Sequence, residues 1–281
     1  MPPEDCRDAD TISVLLPVHR GIDPAHLGAA LATISTQTLR ADEVVVVEDG
    51  PLDEGHRSIL EAFAQSTPSV VVRVRLAENA GAGVANQAGL ERARSTWIAK
   101  ADADDLNEPD RLARQLSFVR ARGLDLAGAA MAEFDTDPAV VRRVRTAPAD
   151  QASIERRLRV NSPFNHPTTF YRRSVALAAG GYADLRYMQD YDLFARMVAG
   201  GARCANAPDI AVRFRADASM YGRRRSREMD ACERRLQANL HTYGLIGRGR
   251  MVRNIAVRSA ARRLPEPVLR LAYQVLLTDR G

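Results

Sequence analysis

Four short, unbroken apolar runs mark the first hundred residues, and the first three each lead into a segment with helical periodicity. Ile12-Ser-Val-Leu-Leu-Pro-Val18 reads as a buried strand, and residues 23–38 as a helix with Asp23 as its N-cap and Pro24 at its first position. Glu43-Val-Val-Val-Val-Glu48 is the second strand and ends in the turn Asp49-Gly50-Pro51. A helix over residues 53–65, a strand over 70–76, a helix over 81–94 and a strand over 96–101 continue the rhythm. Strands that are apolar throughout, rather than on alternate residues, are covered on both faces. The pattern therefore predicts an α/β fold, a mostly parallel central sheet with helices on both sides. Ligands of such sheets lie at the carboxyl ends of the strands. Asp49 and the acidic run Asp102-Ala-Asp104-Asp105 stand at two such ends, which puts them on one rim.

The second half is less regular. It carries strand signals over 124–134 and 168–172, and helix signals over 151–160 and 190–199. From residue 223 onward it reads as two or three arginine-rich helices, punctuated by Pro265 and Pro267. A catalytic domain over 1–222 and a basic helical extension over 223–281 fit a chain of this length. The net charge of +5 is concentrated in that extension, where 14 Arg stand against 5 Asp or Glu from Gly222 on. Such a segment suits a polyanionic neighbour: a membrane surface, a nucleic acid or a phosphorylated substrate. Lys100 is the only lysine, which reads as a matter of composition. Cys6, Cys204 and Cys232 have no metal-ligand spacing and fit a reducing cytosol. The amino-terminal residues do not have the pattern of a signal peptide, and no apolar run is long enough for a membrane span, so the expected location is cytoplasmic.

The acids on the rim need a reason. Unpaired carboxylates are too costly to bury, and close ones repel unless a cation or several donors lie between them. Oxygen ligands suit Mg²⁺ or Mn²⁺, which in turn suit a diphosphate; an acidic turn capping the next helix is the plainer alternative. Asp49 is equally a turn residue or an acceptor for a base or ribose hydroxyl. Glu78-Asn-Ala-Gly-Ala-Gly-Val-Ala-Asn-Gln-Ala-Gly89 lets a helix terminus approach an anion, or simply packs a helix tightly on the sheet. In Tyr187-Met-Gln-Asp-Tyr-Asp192, Asp190 or Asp192 caps a helix, or one of them acts as a general base. His166 has no second histidine nearby and reads as a satisfied polar residue. The first strand leads into Pro17-Val-His-Arg-Gly-Ile rather than G-x-G-x-x-G, which excludes a dinucleotide fold of the Rossmann kind.

Taken in order, these segments resemble the family 2 glycosyltransferases of GT-A fold. The likeness covers residues 11–225 and is closest to enzymes of the amylovoran exopolysaccharide and capsule type. It is carried by Ser13-Val-Leu-Leu-Pro-Val, Gln37-Thr-Leu, Asp42-Glu-Val-Val-Val-Val-Glu-Asp-Gly50, Glu78-Asn-Ala-Gly81 with Asn86 and Gly89, and Ala101-Asp-Ala-Asp-Asp105 with Pro109 and Arg111-Leu. Further on come Asn165-His-Pro-Thr-Thr-Phe-Tyr-Arg-Arg-Ser, Gly180-Gly-Tyr, Gln189-Asp-Tyr-Asp-Leu-Phe-Ala-Arg-Met and Met220-Tyr-Gly-Arg-Arg224.

The resemblance implies Asp190 as catalytic base and Asp104, with Asp102, as ligands of a divalent metal ion, Mg²⁺ or Mn²⁺. It implies donor contacts from Pro17, Asp49, Asn79, Gly81 and Asp102; Arg223 and Arg224, with Arg225, suit phosphate oxygens on a loop closing over the diphosphate. Gln189 stands where the family pattern has Glu. The segment from Phe214 to Tyr221 lacks the histidine that many relatives place there. The implied reaction is inverting transfer of a sugar from a nucleotide-diphosphate donor to a hydroxyl of a glycan or polyprenyl-linked acceptor. Arginines over 248–270, interleaved with Met251, Ile255, Val257 and Leu264, suit a peripheral contact with the inner face of the membrane, or packing on the domain or on a second copy in a homodimer. Two other classes remain open. A sugar-phosphate nucleotidyltransferase lacks its expected Gly-rich basic signature here. A non-catalytic nucleotide- or nucleic-acid-binding protein leaves the acidic rim unexplained, and no nucleic acid is expected as a partner.

Overall fold

The computed structural model describes residues 10–216 and 227–263. The chain divides into two compact units, Met1–Ala216 and Asp217–Gly281. In the first unit, β1 (Ile12–Val18), β2 (Glu43–Glu48), β3 (Val70–Arg75) and β4 (Trp97–Lys100) alternate with α1 (Pro24–Ser35), α2 (Glu54–Ser66) and α3 (Ala82–Arg92). These four strands pair in parallel in the order β3-β2-β1-β4. The valines of β2 and the leucines of β1 are fully buried, because helices cover both faces. α1 begins as expected: the Asp23 side chain accepts from the Ala25 amide and Pro24 occupies the first turn, where its missing N–H costs nothing.

Beyond β4 the sheet becomes mixed. The short β5 (Leu106–Asn107) leads into α4 (Arg111–Arg122) and the long β6 (Leu126–Phe134). β7 (Arg143–Arg145), α5 (Gln151–Leu158), a 3-10 turn at His166–Thr168, β8 (Phe170–Arg172), α6 (Arg173–Ala178), α7 (Gln189–Ala199) and β9 (Cys204–Arg215) complete the unit. The sheet continues β4-β8-β6-β9-β5, with β7 on β6. β8 runs antiparallel to both β4 and β6, while β9 is parallel to β6 and antiparallel to β5. Trp97 stacks on Phe170 across the β4–β8 seam, 5.2 Å between centroids, joining the two halves of the sheet through one core.

In the second unit, α8 (Arg227–Thr242) and α9 (Arg248–Arg263) form a helical pair turned at Gly244, whose φ is +75°. Glu233 of α8 is fully buried, yet it is paid for by Arg258 of α9 at 2.7 Å and by Gln237 at 2.9 Å; Gln237 in turn accepts from Asn254 at 3.0 Å. Val252 and Val257 are exposed on α9. Among the described residues no helix is long and apolar enough to cross a membrane.

Candidate active site

Three strand ends meet on the rim. β1 lies between β2 and β4, so the segment following Val18 sits between Asp49 and the acidic run. Asp49 is tied down. Its Oδ1 accepts from the Ala80 amide at 2.7 Å, and its Oδ2 from the Gly81 amide at 3.2 Å and from Asn79 Nδ2 at 3.1 Å. This carboxylate therefore occupies the anion position just before α3 and satisfies the two backbone amides that lead into it. Gly50 makes the approach feasible: its φ is +87°, and a Cβ there would lie 2.7 Å from the Asn79 nitrogen. Gly89, further along α3, is a packing residue, since a Cβ would run into Leu15 and Val47.

The acidic run is built differently. Lys100, the last residue of β4, is 1% exposed, and its Nζ donates to the Ala101 carbonyl and to Asp102 Oδ1, each at 2.5 Å. Burial pushes Asp102 up, but Lys100, with His166 and Arg111 behind it, more than reverses this, and the carboxyl lies below its ordinary range. Arg111 is buried at the start of α4, where Nη2 holds the Lys100 carbonyl at 2.7 Å and Nη1 takes Asn107 Oδ1. Burial lowers its guanidinium to about 10, so it stays charged at neutral pH.

Asp105 is 2% exposed; its Oδ1 accepts from the Arg215 amide at 2.9 Å, while Oδ2 is buried without a partner. Arg215 stacks over Phe134 and donates from Nε to the Asp104 carbonyl at 3.2 Å, so the end of β9 anchors the acidic loop. The Asp104 carboxylate accepts no hydrogen bond from another residue among those described, and burial together with the neighbouring Asp102 raises its proton affinity. His19 lies close enough to offset part of this rise; its Nδ1 accepts from the Gly21 amide at 3.0 Å.

The 3-10 turn and the Gly180-Gly181 turn bring a polar group toward the same rim. His166 Nε2 lies 3.2 Å from the Tyr182 hydroxyl, which lies 3.0 Å from that of Tyr171. Burial lowers the His166 pKa, opposed by the charges of Asp190 and Asp102, which links the α7 and β4 corners. α7 starts at Met188, the one non-glycine residue among those described with positive φ, at +63°. A bulky side chain held there costs of order 1 kcal/mol and fixes where the helix begins. Asp192 is then separated from Asp190. It is fully buried and paired with Arg196 at 2.8 Å, while Arg196 also holds the carbonyls of Ala179 and Gly181. Asp190, half-buried, stands free of that clamp, and Gln189 beside it is buried.

Of the sequence candidates, Asp49, Asn79 and Gly81 form one corner, Asp102 and Asp104 the next, with Pro17 on the strand between them. Arg223, Arg224 and Arg225 lie outside the described residues, as does the extension beyond 263. Lys100, Arg215 and His19 were not singled out by the sequence. The last of these carried a signal, being the residue that leaves the central strand at its carboxyl end. Among the described residues no three His, Cys, Asp or Glu side chains converge into a ready-made metal cage. Among the described residues no other residue donates to the Asp104 carboxylate, and such an oxygen fits one position of a hard divalent ion that completes its shell with phosphate and water.

The family description Glycosyl transferase family 2 matches residues 13–180. The chain is 33% identical over 266 residues to the amylovoran biosynthesis glycosyltransferase AmsE of Erwinia amylovora, covering 93% of this chain and 97% of that one. It is 26% identical to a UDP-Gal:alpha-D-GlcNAc-diphosphoundecaprenol beta-1,3-galactosyltransferase of Escherichia coli, over 92% and 93% of the two chains. Among solved structures, the mannosyltransferase PcManGT of Pyrobaculum calidifontis, in complex with GDP-Man and Mn²⁺, superposes with a TM-score of 0.61 at 18% identity, covering 94% of this chain and 79% of that one.

Proposed function

The chain belongs to glycosyl transferase family 2, and from that premise we propose how its rim performs an inverting sugar transfer. It is a glycosyltransferase of GT-A fold, using a nucleotide-diphosphate sugar and acting in polysaccharide biosynthesis. Enzymes of this fold commonly use a divalent metal ion. The observation that carries the proposed roles is the unequal partnering of the acids. Asp49 and Asp102 are held by donors, whereas Asp104 and Asp190 are left to meet a ligand.

Asp49 receives the base of the donor nucleotide, since among the described residues its Oδ1 accepts one bond, from the Ala80 amide, and retains a lone pair. Pro17, Asn79 and Gly81 line that corner, and Asp102 faces the ribose or the metal. Asp104 is the main ligand of Mg²⁺ or Mn²⁺, which supplies charge neutralisation for the departing nucleoside diphosphate. Asp190 takes the proton of the acceptor hydroxyl, a poor nucleophile that needs a carboxylate within hydrogen-bond reach. The hydroxyl oxygen bonds to the anomeric carbon as the bond to the diphosphate oxygen breaks on the opposite face, so the centre inverts. Arg223 and Arg224 contact the diphosphate. The acceptor is a glycan hydroxyl on a polyprenyl diphosphate, the class named for the Escherichia coli relative, reached at the inner membrane face through the basic extension and the exposed valines of α9.

Thermal shift against a panel of nucleotides and nucleotide sugars tests this reading, because a ligand bound only by the folded state raises the midpoint. Stabilisation by one nucleotide family, abolished by chelator, is expected. A panel that stabilises equally in chelator would sink the metal assignment.

A further inference from the structure

The 40 basic residues of this chain are 39 arginines and Lys100, and the lysine stands at the centre of the site. Its geometry explains the choice. From the last residue of β4 the Nζ folds back onto the next carbonyl and onto the carboxylate two residues on, each at 2.5 Å. A compact ammonium on a flexible stem makes that return; a planar guanidinium does not match two acceptors so near its own backbone. It would also have to share the buried space with Arg111, whose Nη2 already holds the Lys100 carbonyl. Elsewhere the chain uses arginine for its cations. Here it needs a different shape.

The consequence is a division among three adjacent acids. Asp105 is turned inward to the Arg215 amide, Asp102 is held by Lys100 through Oδ1, and Asp104 has no such partner among the described residues. We propose that Lys100 is a positioning residue that withdraws Asp102 from metal ligation, so that a divalent ion meets one carboxylate, Asp104, and Asp102 is kept as an acceptor for a neutral donor such as a ribose hydroxyl. This rests on the reading of Asp104 as the metal ligand. With Asp102 withdrawn and Asp104 left, the ion binds weakly to the empty enzyme and arrives together with the donor diphosphate, which supplies the remaining negative oxygens.

The test is Mn²⁺ binding to the nucleotide-free full chain, followed through the paramagnetic resonance signal of free Mn²⁺, with folding checked by circular dichroism. Asp104→Asn weakens binding by about tenfold or more, whereas Asp102→Asn stays within about twofold of the wild type, because that carboxylate is already engaged. Lys100→Met frees Asp102 to join the ion and tightens binding by about tenfold, and Lys100→Met with Asp102→Asn returns to the wild-type value. A lysine that merely filled space would give no tightening and no reversal by the second change. Should Lys100→Met not fold, the Asp102→Asn and Asp104→Asn pair still decides: equal weakening by both overturns the role given to Lys100. Indifference of Mn²⁺ to Asp104→Asn overturns instead the metal reading on which the inference stands.

Discussion

The carboxylate at the end of β2 and those at the end of β4 share one sheet rim, but they are built on opposite terms. Asp49 is surrounded by donors: two backbone amides and a side-chain amide reach it from the loop before α3. At β4, three acids crowd within four residues, the Lys100 ammonium is bonded to Asp102 alone among them, and the buried Asp105 keeps one oxygen without a partner. The first corner is held in place by the fold itself. The second is buried and carries several acids together, and burial first, then the neighbouring carboxylates, raise Asp104 and Asp105 above the ordinary carboxylate value of 3.8. A satisfied carboxylate contributes to the fold, and an unsatisfied one costs stability that a ligand can return.

The largest expected effect breaks the comparison at its charged side. Asp104→Ala loses nearly all transfer, about 10²-fold or more, with thermal stability unchanged or raised. A steep loss of stability would show that this carboxylate holds the fold after all. Next, Asp190→Asn keeps the start of α7 but cannot accept a proton, so turnover falls by roughly 10²-fold while nucleotide affinity measured by calorimetry stays the same. Near-normal turnover would return Asp190 to the role of a first-turn acid complementing the helix dipole.

On the satisfied side, Asp49→Ala leaves the Ala80 and Gly81 amides without their acceptor and costs about 1–3 kcal/mol, read from urea midpoints. An unshifted midpoint would mean that the amides find water at no cost. The smallest effect sharpens the contrast through pH. Burial, then Asp102 and Asp104, raise Asp105 well above 3.8, so the folded state binds its proton more tightly than the unfolded chain does. Its stabilising contribution is present below 3.8 and lost as pH rises toward the raised folded value. Asp105→Asn in metal-free protein is therefore more stable than wild type at neutral pH, with the gap closing near pH 4. A gap that is constant with pH would place the cost elsewhere.

The first half of the sheet was legible because its strands are continuous apolar runs: Glu43–Glu48 is strand in the sequence reading and in the structure alike. β9, the longest strand, was not. Pro208, Asp209 and Arg213 interrupt its apolar pattern, and its pairing with β6 shifts register twice, at Ala129/Ala130 and Ala130/Met131. Nor did the sequence show α6 or the short β5 and β7: β5 is two residues long and depends on a partner about a hundred residues on, and β7 is three residues paired to the end of β6. At the site, the acidic residues stood out by composition and by their place at strand ends. Their partners did not. The amides that hold Asp49 come from 31 and 32 residues away, and backbone donors leave no mark in a sequence. Asp190 and Asp192 looked interchangeable until Arg196, one helical turn beyond Asp192, took one of them. Lys100 read as a compositional accident because a count says nothing about depth.

That depth has a practical side. Over these 281 residues the one ε-amine is 1% exposed, so the surface of the folded protein offers no lysine to acylating reagents. The appearance of a reactive ε-amine during heating or denaturant titration would report the opening of β4 itself, turning an ordinary labelling reagent into a clock for the unfolding of this strand end.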